Sequence, residues 1–157
     1  DYVGFLARFD SGVVGTFEAS RVSVGPRAEY VVEVYGTEGS VRWNFEDQSK
    51  VAVCLGRPGQ KGEYGGEAHG YTTVMAGPEH GEYARFQPGP GMNMSFDDLK
   101  TIECALFIES VLTGVQKAPS AVDAWAAAEV DEGVVRSAAD GSWHVIPPTE
   151  GPTTYDA

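Results

Sequence analysis

The sequence is poor in cysteine, in basic residues and in long apolar runs. Its 157 residues include two cysteines, Cys54 and Cys104, which lie far apart. We therefore expect a reducing, cytoplasmic compartment rather than a disulfide framework. No run approaches the roughly 20 apolar residues that span a bilayer, so we expect no membrane association. Eleven Lys and Arg residues stand against 23 Asp and Glu residues, for a net charge of −12. Nucleic-acid binding depends on cations at phosphates, so we expect no DNA or RNA partner.

Motifs that bind cofactors or carry out catalysis are also missing. A nicotinamide or flavin enzyme needs a Gly-rich turn between a strand and a helix, and Gly4, Gly12 and Gly15 do not supply one. There is no Walker A sequence, no Gly-x-Ser-x-Gly elbow and no Cys–His pair at useful spacing. We therefore expect no catalytic and no cofactor-binding residue in this chain. It also starts at Asp1 without a Met or a leader, inside a predicted strand, which favours a piece of a longer protein.

The histidines and the paired aspartates have simpler explanations than chemistry. His69, His80 and His144 match no compact zinc-ligand spacing, so no metal site is expected. His144 alternates with apolar neighbours and is predicted to face solvent from an edge strand. Asp97 and Asp98 suit the positive end of a helix dipole. A hydrolase that uses either aspartate with a histidine remains an alternative.

The first 55 residues alternate apolar and polar side chains with a period of two. Such alternation in successive hairpins indicates an antiparallel meander with one buried face. Strands are predicted at residues 3–9, 13–21, 30–34, 41–46 and 50–55. On the polar face, Glu18 is expected to pair with Arg8, and Glu33 with Arg42.

The second half of the chain predicts two helices between two short strands. After a Gly-rich stretch and a strand at residues 71–75, helices start near Ser95 or Asp97 and at Ser120. Gly114 and Gly141 end them, and a last strand is predicted at residues 142–146. The sequence thus predicts one α+β domain at residues 1–146, followed by a disordered tail at 147–157. Its sheet is open and mostly antiparallel, with about six strands and helices on one face.

The other sheet face has no cover in this prediction, and its apolar side chains favour a homo-oligomer partner there. These side chains are Tyr2, Leu6, Val14, Val31 and Tyr35. The loop that begins at Arg21 and ends at Arg27 has two interpretations. It is either a solvated surface loop or a wall of a sugar or polyol pocket, where guanidinium and backbone groups meet hydroxyls.

The order of several short motifs resembles one family. These are Phe5-x-x-x-Phe9-x-Ser11-Gly12-Val13-x-Gly15-x-Phe17-x-Ala19-Ser20-Arg21, then Val34-Tyr35-Gly36-Thr37-Glu38-Gly39-Ser40-Val41, then Phe107-Ile108-x-x-Val111-x-x-Gly114, Pro119-Ser120-x-x-Asp123 and Ser137-Ala138-x-x-Gly141-x-Trp143. Over residues 1–146 the chain resembles the C-terminal domain of the glucose–fructose oxidoreductase, inositol dehydrogenase and rhizopine-catabolism (Gfo/Idh/MocA) family.

The resemblance implies a partner domain and a reaction. Family members join an N-terminal Rossmann domain, which binds NAD or NADP, to this α+β domain, which shapes part of the substrate pocket and builds oligomers. They transfer a hydride between the cofactor and a sugar, inositol or related polyol. The family's catalytic Lys, Asp and His match no residue here, so the chain alone is expected to be inactive and to bind no cofactor. A stand-alone, non-catalytic binding or scaffold domain is the alternative.

The resemblance also implies which residues line the substrate pocket. The loop after Ser20 matches the family's pocket-lining loop, and its candidates are Arg21, Val24, Gly25, Pro26 and Arg27. The segment from Phe86 to Phe96 resembles a second lining loop.

Overall fold

The computed structural model describes residues 1–56, 70–81, 83–87, 89–117 and 119–149, and it confirms the α+β class. Six strands come first: β1 Tyr2–Arg8, β2 Val14–Ser20, β3 Val31–Tyr35, β4 Gly39–Asn44, β5 Lys50–Leu55 and β6 Thr72–Met75. Three helices follow: α1 Tyr83–Phe86, α2 Phe96–Thr113 and α3 Ala121–Asp140. The chain forms two compact units, one of Asp1–Ser23 with Thr101–Ala157 and the other of Val24–Lys100.

Six of the seven predicted strands are present and antiparallel, but they form two hydrogen-bonded sheets, β1-β2 and β3-β4-β5-β6. Strand β2 ends at Ser20. There the side-chain hydroxyl of Ser20 accepts hydrogen bonds from the amides of Val22 and Ser23, at 3.3 and 3.2 Å. Such a side-chain turn competes with extension of the strand. Most of the chain between Val22 and Tyr30 then runs as bends.

In the first unit, β1 and β2 pair with Phe5 opposite Phe17 and Gly4 opposite Glu18. The two phenyl rings stack with centroids 4.8 Å apart. Arg8 lies opposite Val14, so the predicted Arg8–Glu18 pair is wrong. The prediction placed both charges on the correct face but could not fix which residues stand opposite each other.

The Arg8 guanidinium instead lies 5.6 Å from the centre of the Trp143 ring. Trp143 belongs to residues 142–146, where a last strand was predicted, and the structure has no strand there. Two contacts explain the difference. The Ser142 amide donates to the Asp140 carboxylate at 2.8 Å, and Ile146 fills the space where Gly133 of α3 lacks a side chain. The segment therefore packs on α3 instead of joining a ladder.

The helix boundaries follow the predicted caps. The Asp98 carboxylate accepts the Ser95 amide at 2.8 Å, and the Ser95 hydroxyl accepts the Asp98 amide at 3.4 Å. Ser120 and Asp123 form the same reciprocal box at the start of α3. Gly141 ends α3 with a φ of 71°, which favours glycine. No helix in the described part of the chain is long and apolar enough to cross a membrane.

In the second unit, β4 and β5 are the inner strands of a four-stranded sheet. Glu33 and Arg42 stand opposite each other and form an ion pair at 2.8 Å, which confirms that cross-strand prediction. Residues 51–54 of β5 are half-buried. No hydrophobic side chain of the described residues is fully buried, so the apolar contacts of each unit lie between partly covered faces.

The predicted fourth strand ends earlier than expected. Residues 45–46 were assigned to it, but Phe45–Asp47 form a 3-10 turn. The turn begins because the Asn44 side chain accepts the Glu46 amide at 2.8 Å, as Asn does at helix starts. The predicted tail at residues 147–157 lies outside the described residues from 150 onward.

Candidate functional site

The predicted pocket loop starts at the end of β2, in the first unit. The Arg21 amide donates to the Asp1 carbonyl at 2.8 Å, which continues the β1-β2 ladder by one bond. The Arg21 side chain is exposed. The two hydroxyls of Ser20 and Ser23 are 2.8 Å apart and close the turn that follows. Arg21 is therefore held by its backbone, and its guanidinium is at the surface.

The other four candidates belong to the second unit. Val24 is completely exposed, and Pro26 is exposed. Gly25 has a φ of 122°, a conformation that favours glycine. Of these four residues, only Arg27 is hydrogen-bonded to another element, through its backbone amide.

The partner is the side chain of Glu46 in the 3-10 turn. Its Oε1 atom accepts the amide of Arg27 at 2.8 Å and the amide of Ala28 at 2.9 Å. These two backbone hydrogen bonds, from Ala28 first and then Arg27, lower the pKa of Glu46 from its ordinary value. The carboxylate is therefore charged at neutral pH, and it fixes the end of the loop on the turn.

The turn itself is held by its neighbours. The Trp43 indole Nε1–H donates to the Gln48 carbonyl at 3.0 Å. The Trp43 ring also makes edge contacts with Tyr30 and Phe45, each with centroids 6.1 Å apart. The aromatic cluster of Trp43, Tyr30 and Phe45 thus stabilises the backbone of the turn that carries Glu46.

The second predicted loop, residues 86–96, is tied to the same turn. The Gln48 side-chain amide donates to the Met94 carbonyl, across 46 residues of sequence. Gln87 is 5% exposed, and its Oε1 atom has no hydrogen-bond partner among the described residues. Glu46 and Gln48, two residues apart, therefore hold the two loops that the resemblance indicated.

A small polar cavity lies between the turn and the second loop. It has a volume of about 150 Å³ and is lined by Phe45, Glu46, Asp47, Gln48, Ser49, Asn93, Met94 and Phe96. Ser49 is 3% exposed, and its hydroxyl has no partner among the described residues. Buried hydroxyls are almost always hydrogen-bonded, so this one is an exception.

The first unit has a larger and mainly apolar groove of about 760 Å³. Its walls come from α2, the following loop and the start of α3, and they include Leu106, Phe107, Ile108, Val111, Gln116 and Lys117. Lys117 pairs with Glu109 at 3.5 Å. The groove offers an apolar surface, whereas most of the residues that line the cavity at the turn are polar.

The histidines do not gather in the described part of the chain. His80 Nδ1 accepts the Gly77 amide at 3.2 Å. His144 is half-buried and 2.9 Å from the Asp140 carboxylate, so its predicted place facing solvent on an edge strand is wrong. His69 lies outside the described residues. Within those residues, no three His, Cys, Asp or Glu side chains are grouped to hold a metal.

Sequence reasoning missed Glu46, Ser49 and Asn93. Glu46 was taken as a strand residue, because the alternation of β4 continues past its end. The Asn44-x-Glu46 spacing is the signal that could have located the turn. Nothing local marks Ser49 or Asn93, since the cavity joins segments more than 40 residues apart.

The element order and the antiparallel sheets define an α+β domain of the dehydrogenase C-terminal type. The structure of levoglucosan dehydrogenase in complex with NADH and levoglucosan matches it with a TM-score of 0.83 and 30% identity, over 94% of this chain and 39% of that one. An NAD-binding oxidoreductase from Klebsiella pneumoniae matches with a TM-score of 0.80 and 25% identity, over 94% and 38% of the two chains.

The sequence comparisons agree. The family described as "Oxidoreductase family, C-terminal alpha/beta domain" matches residues 1–146. Levoglucosan dehydrogenase from Pseudarthrobacter phenanthrenivorans is 31% identical over 147 residues, which cover 94% of this chain and 36% of the relative. The chain therefore belongs to the Gfo/Idh/MocA oxidoreductase family, as its C-terminal domain. It spans a little over a third of the length of these relatives.

Proposed function

We propose that this chain is the substrate-side and oligomerisation domain of a cytoplasmic NAD(P)-dependent oxidoreductase that acts on a sugar, inositol or related polyol. One observation carries the proposal: the chain aligns along 94% of its length with a levoglucosan dehydrogenase, whose solved complex contains NADH and levoglucosan. The remaining length of that relative leaves room for a nucleotide-binding domain. NAD or NADP binds to an N-terminal Rossmann domain of the full-length protein, and this chain alone binds neither.

The open reading frame that encodes Asp1 tests the domain arrangement. We expect a strand-Gly-x-Gly-x-x-Gly-helix segment upstream and in frame. The full-length protein should reduce NAD or NADP in the presence of levoglucosan, myo-inositol or D-glucose, as measured by absorbance of the reduced nicotinamide. A reading frame that starts near Asp1 would overturn the proposal and favour the stand-alone binding or scaffold domain.

Calorimetry tests which of the two domains binds the cofactor. Titration of NADH into the isolated chain should give no binding heat, whereas the full-length protein should bind it. Tight binding by the isolated chain would contradict the assignment of the cofactor to the upstream domain.

The oligomer contact in this proposal is one face of the β1-β2 sheet. Tyr2, Leu6 and Val14 share that face and are 57–63% exposed, and exposed apolar patches of this kind mark protein contacts. We expect a dimer or larger assembly of the full-length protein by light scattering. Leu6→Arg should shift it toward the monomer, and Ser11→Arg in the adjacent turn should not. A wild-type monomer would refute the contact.

A further inference from the structure

We propose that Glu46 is a positioning residue for substrate binding, which holds the backbone of Arg27 so that the Arg27 guanidinium contacts an oxygen atom of the substrate. This inference rests on the proposed function, in which the loop that ends at Arg27 forms part of the substrate-pocket wall. Arg27 binds the substrate, and Glu46 acts only through Arg27. Both residues lie in the second unit.

The first argument is how the backbone of Arg27 is held. The Glu46 Oε1 atom accepts the amide of Arg27 at 2.8 Å and the amide of Ala28 at 2.9 Å. Hydrogen bonds to an ionised carboxylate are about twice as strong as those between neutral groups. On the other side of Arg27, the ring of Pro26 fixes its own φ. The direction in which the Arg27 side chain leaves the backbone is therefore set from both sides.

The second argument is that the 3-10 turn is itself bonded to the residues just after the loop. The Phe45 amide donates to the Tyr30 carbonyl at 2.9 Å, and the Asn44 side-chain amide donates to the Glu29 carboxylate at 3.1 Å. The Asn44 Oδ1 atom also accepts the Glu46 amide at 2.8 Å. The Glu46 carboxylate is thus positioned before a ligand binds, and groups positioned in advance lose less conformational entropy on binding.

The third argument is that the charged group of Arg27 is available to a ligand. The other Lys and Arg side chains in the described part of the second unit each contact a carboxylate or an aromatic ring: these are Arg42, Lys50, Arg85 and Lys100. Arg27 is exposed and has neither an ion pair nor a ring contact among the described residues. A guanidinium has five N–H donors and no acceptor, so hydroxyl and carbonyl oxygens of a substrate are suitable partners.

Two substitutions of Glu46 separate its hydrogen bonds from its charge. Glu46→Asp keeps the charge but withdraws the carboxylate by about 1.5 Å, the length of one carbon–carbon bond. The 2.8 Å contact to the Arg27 amide then exceeds hydrogen-bond length. Glu46→Gln keeps the length of the side chain and an oxygen that accepts the amides, but it removes the charge. A positioning role therefore predicts a defect in the Asp variant and none in the Gln variant.

Steady-state kinetics of the full-length protein with NAD or NADP tests this prediction. The probes are levoglucosan, myo-inositol and D-glucose, and each variant is measured with the compound that the wild type oxidises best. We expect Glu46→Asp to raise KM about fivefold and to leave kcat within about twofold, because it weakens binding equally in the ground state and the transition state. Glu46→Gln should leave both KM and kcat within about twofold of the wild type.

A double-variant comparison tests whether Glu46 acts through Arg27. Arg27→Ala removes the group that contacts the substrate, so it should raise KM by at least about tenfold. Adding Glu46→Asp to Arg27→Ala should raise KM no further, because residues that act as one unit are not additive. As a matched control, Glu38→Asp shortens an exposed glutamate of the same unit whose side chain makes no bond to the described residues. It should leave KM and kcat within about twofold.

Three results would overturn the positioning role: a KM that Arg27→Ala or folded Glu46→Asp leaves unchanged, equal defects in the Asp and Gln variants, or effects of Glu46→Asp and Arg27→Ala that multiply. Circular dichroism shows whether each variant is folded, and Arg27→Ala carries the test if Glu46→Asp is not. In each of these cases the wild type still oxidises a probe, so the proposed function stands. A full-length protein that oxidises none of the three compounds refutes the proposed function and this inference with it.

Discussion

Replacing Trp43 by phenylalanine measures how strongly the aromatic cluster holds the 3-10 turn. The substitution keeps an aromatic ring between Tyr30 and Phe45 but removes the indole N–H that donates to the Gln48 carbonyl at 3.0 Å. Loss of that partly buried hydrogen bond costs about 1 kcal/mol. The smaller ring leaves a gap that costs about 1 kcal/mol more. We therefore expect unfolding free energy to fall by about 2 kcal/mol, which lowers Tm by about 4–8 °C for a chain of this length.

Trp125 offers a matched control for the same chemical change. Its indole also donates a hydrogen bond, to Glu129 at 2.9 Å, but the side chain is 48% exposed at the surface of α3. Water replaces the lost partner there, so Trp125→Phe should cost less than about 0.5 kcal/mol. Urea unfolding followed by far-UV circular dichroism gives both values. Equal costs for the two substitutions would refute the argument that the Trp43 bond secures the turn.

Three further changes test other parts of the structure. A Cβ atom on Gly39 would lie 2.7 Å from the Cys54 carbonyl oxygen, so Gly39→Ala should destabilise the chain by about 1–3 kcal/mol in urea. Ser120→Ala removes the cap of α3 and should lower unfolding free energy by about 1 kcal/mol in the same assay. The pKa of Glu46 is lowered by backbone hydrogen bonds, so the stability it contributes is present above its ordinary pKa and is lost as pH falls through the lowered value. Arg27 amide shifts, followed by NMR between neutral pH and pH 3, should report that titration, and Glu46→Gln should abolish it.

Local patterns were sufficient to predict most of the elements. Period-two alternation of apolar and polar residues indicated the first five strands. The capping residues Ser95 and Ser120 placed the starts of both long helices, and Gly114 and Gly141 placed their ends. These signals act within four residues of the feature they specify, so they can be read without the rest of the fold.

The errors arose where a distant contact decides the outcome. Residues 142–146 have the alternation of a strand, but Gly133 of α3 leaves space for Ile146, and packing on that helix replaces a ladder. Arg8 has a suitable partner in Glu18 by face, but the register places Val14 opposite Arg8, and the guanidinium lies over Trp143. Alternation determines which face of the sheet a side chain occupies. Which residue lies opposite it depends on the strand register, and the local sequence does not fix that register.

The candidate site shows the same limit more strongly. Resemblance indicated two loops that line a pocket, and neither loop contains the residues that connect them. Glu46 reaches the first loop across 18–19 residues and Gln48 reaches the second across 46, and both belong to a turn whose sequence continues the alternation of β4. The turn bonds to each loop through one side chain, and it forms one wall of the cavity beside the second loop. Both side chains that bond to the loops lie outside them, so the loop residues alone do not specify how the loops are held.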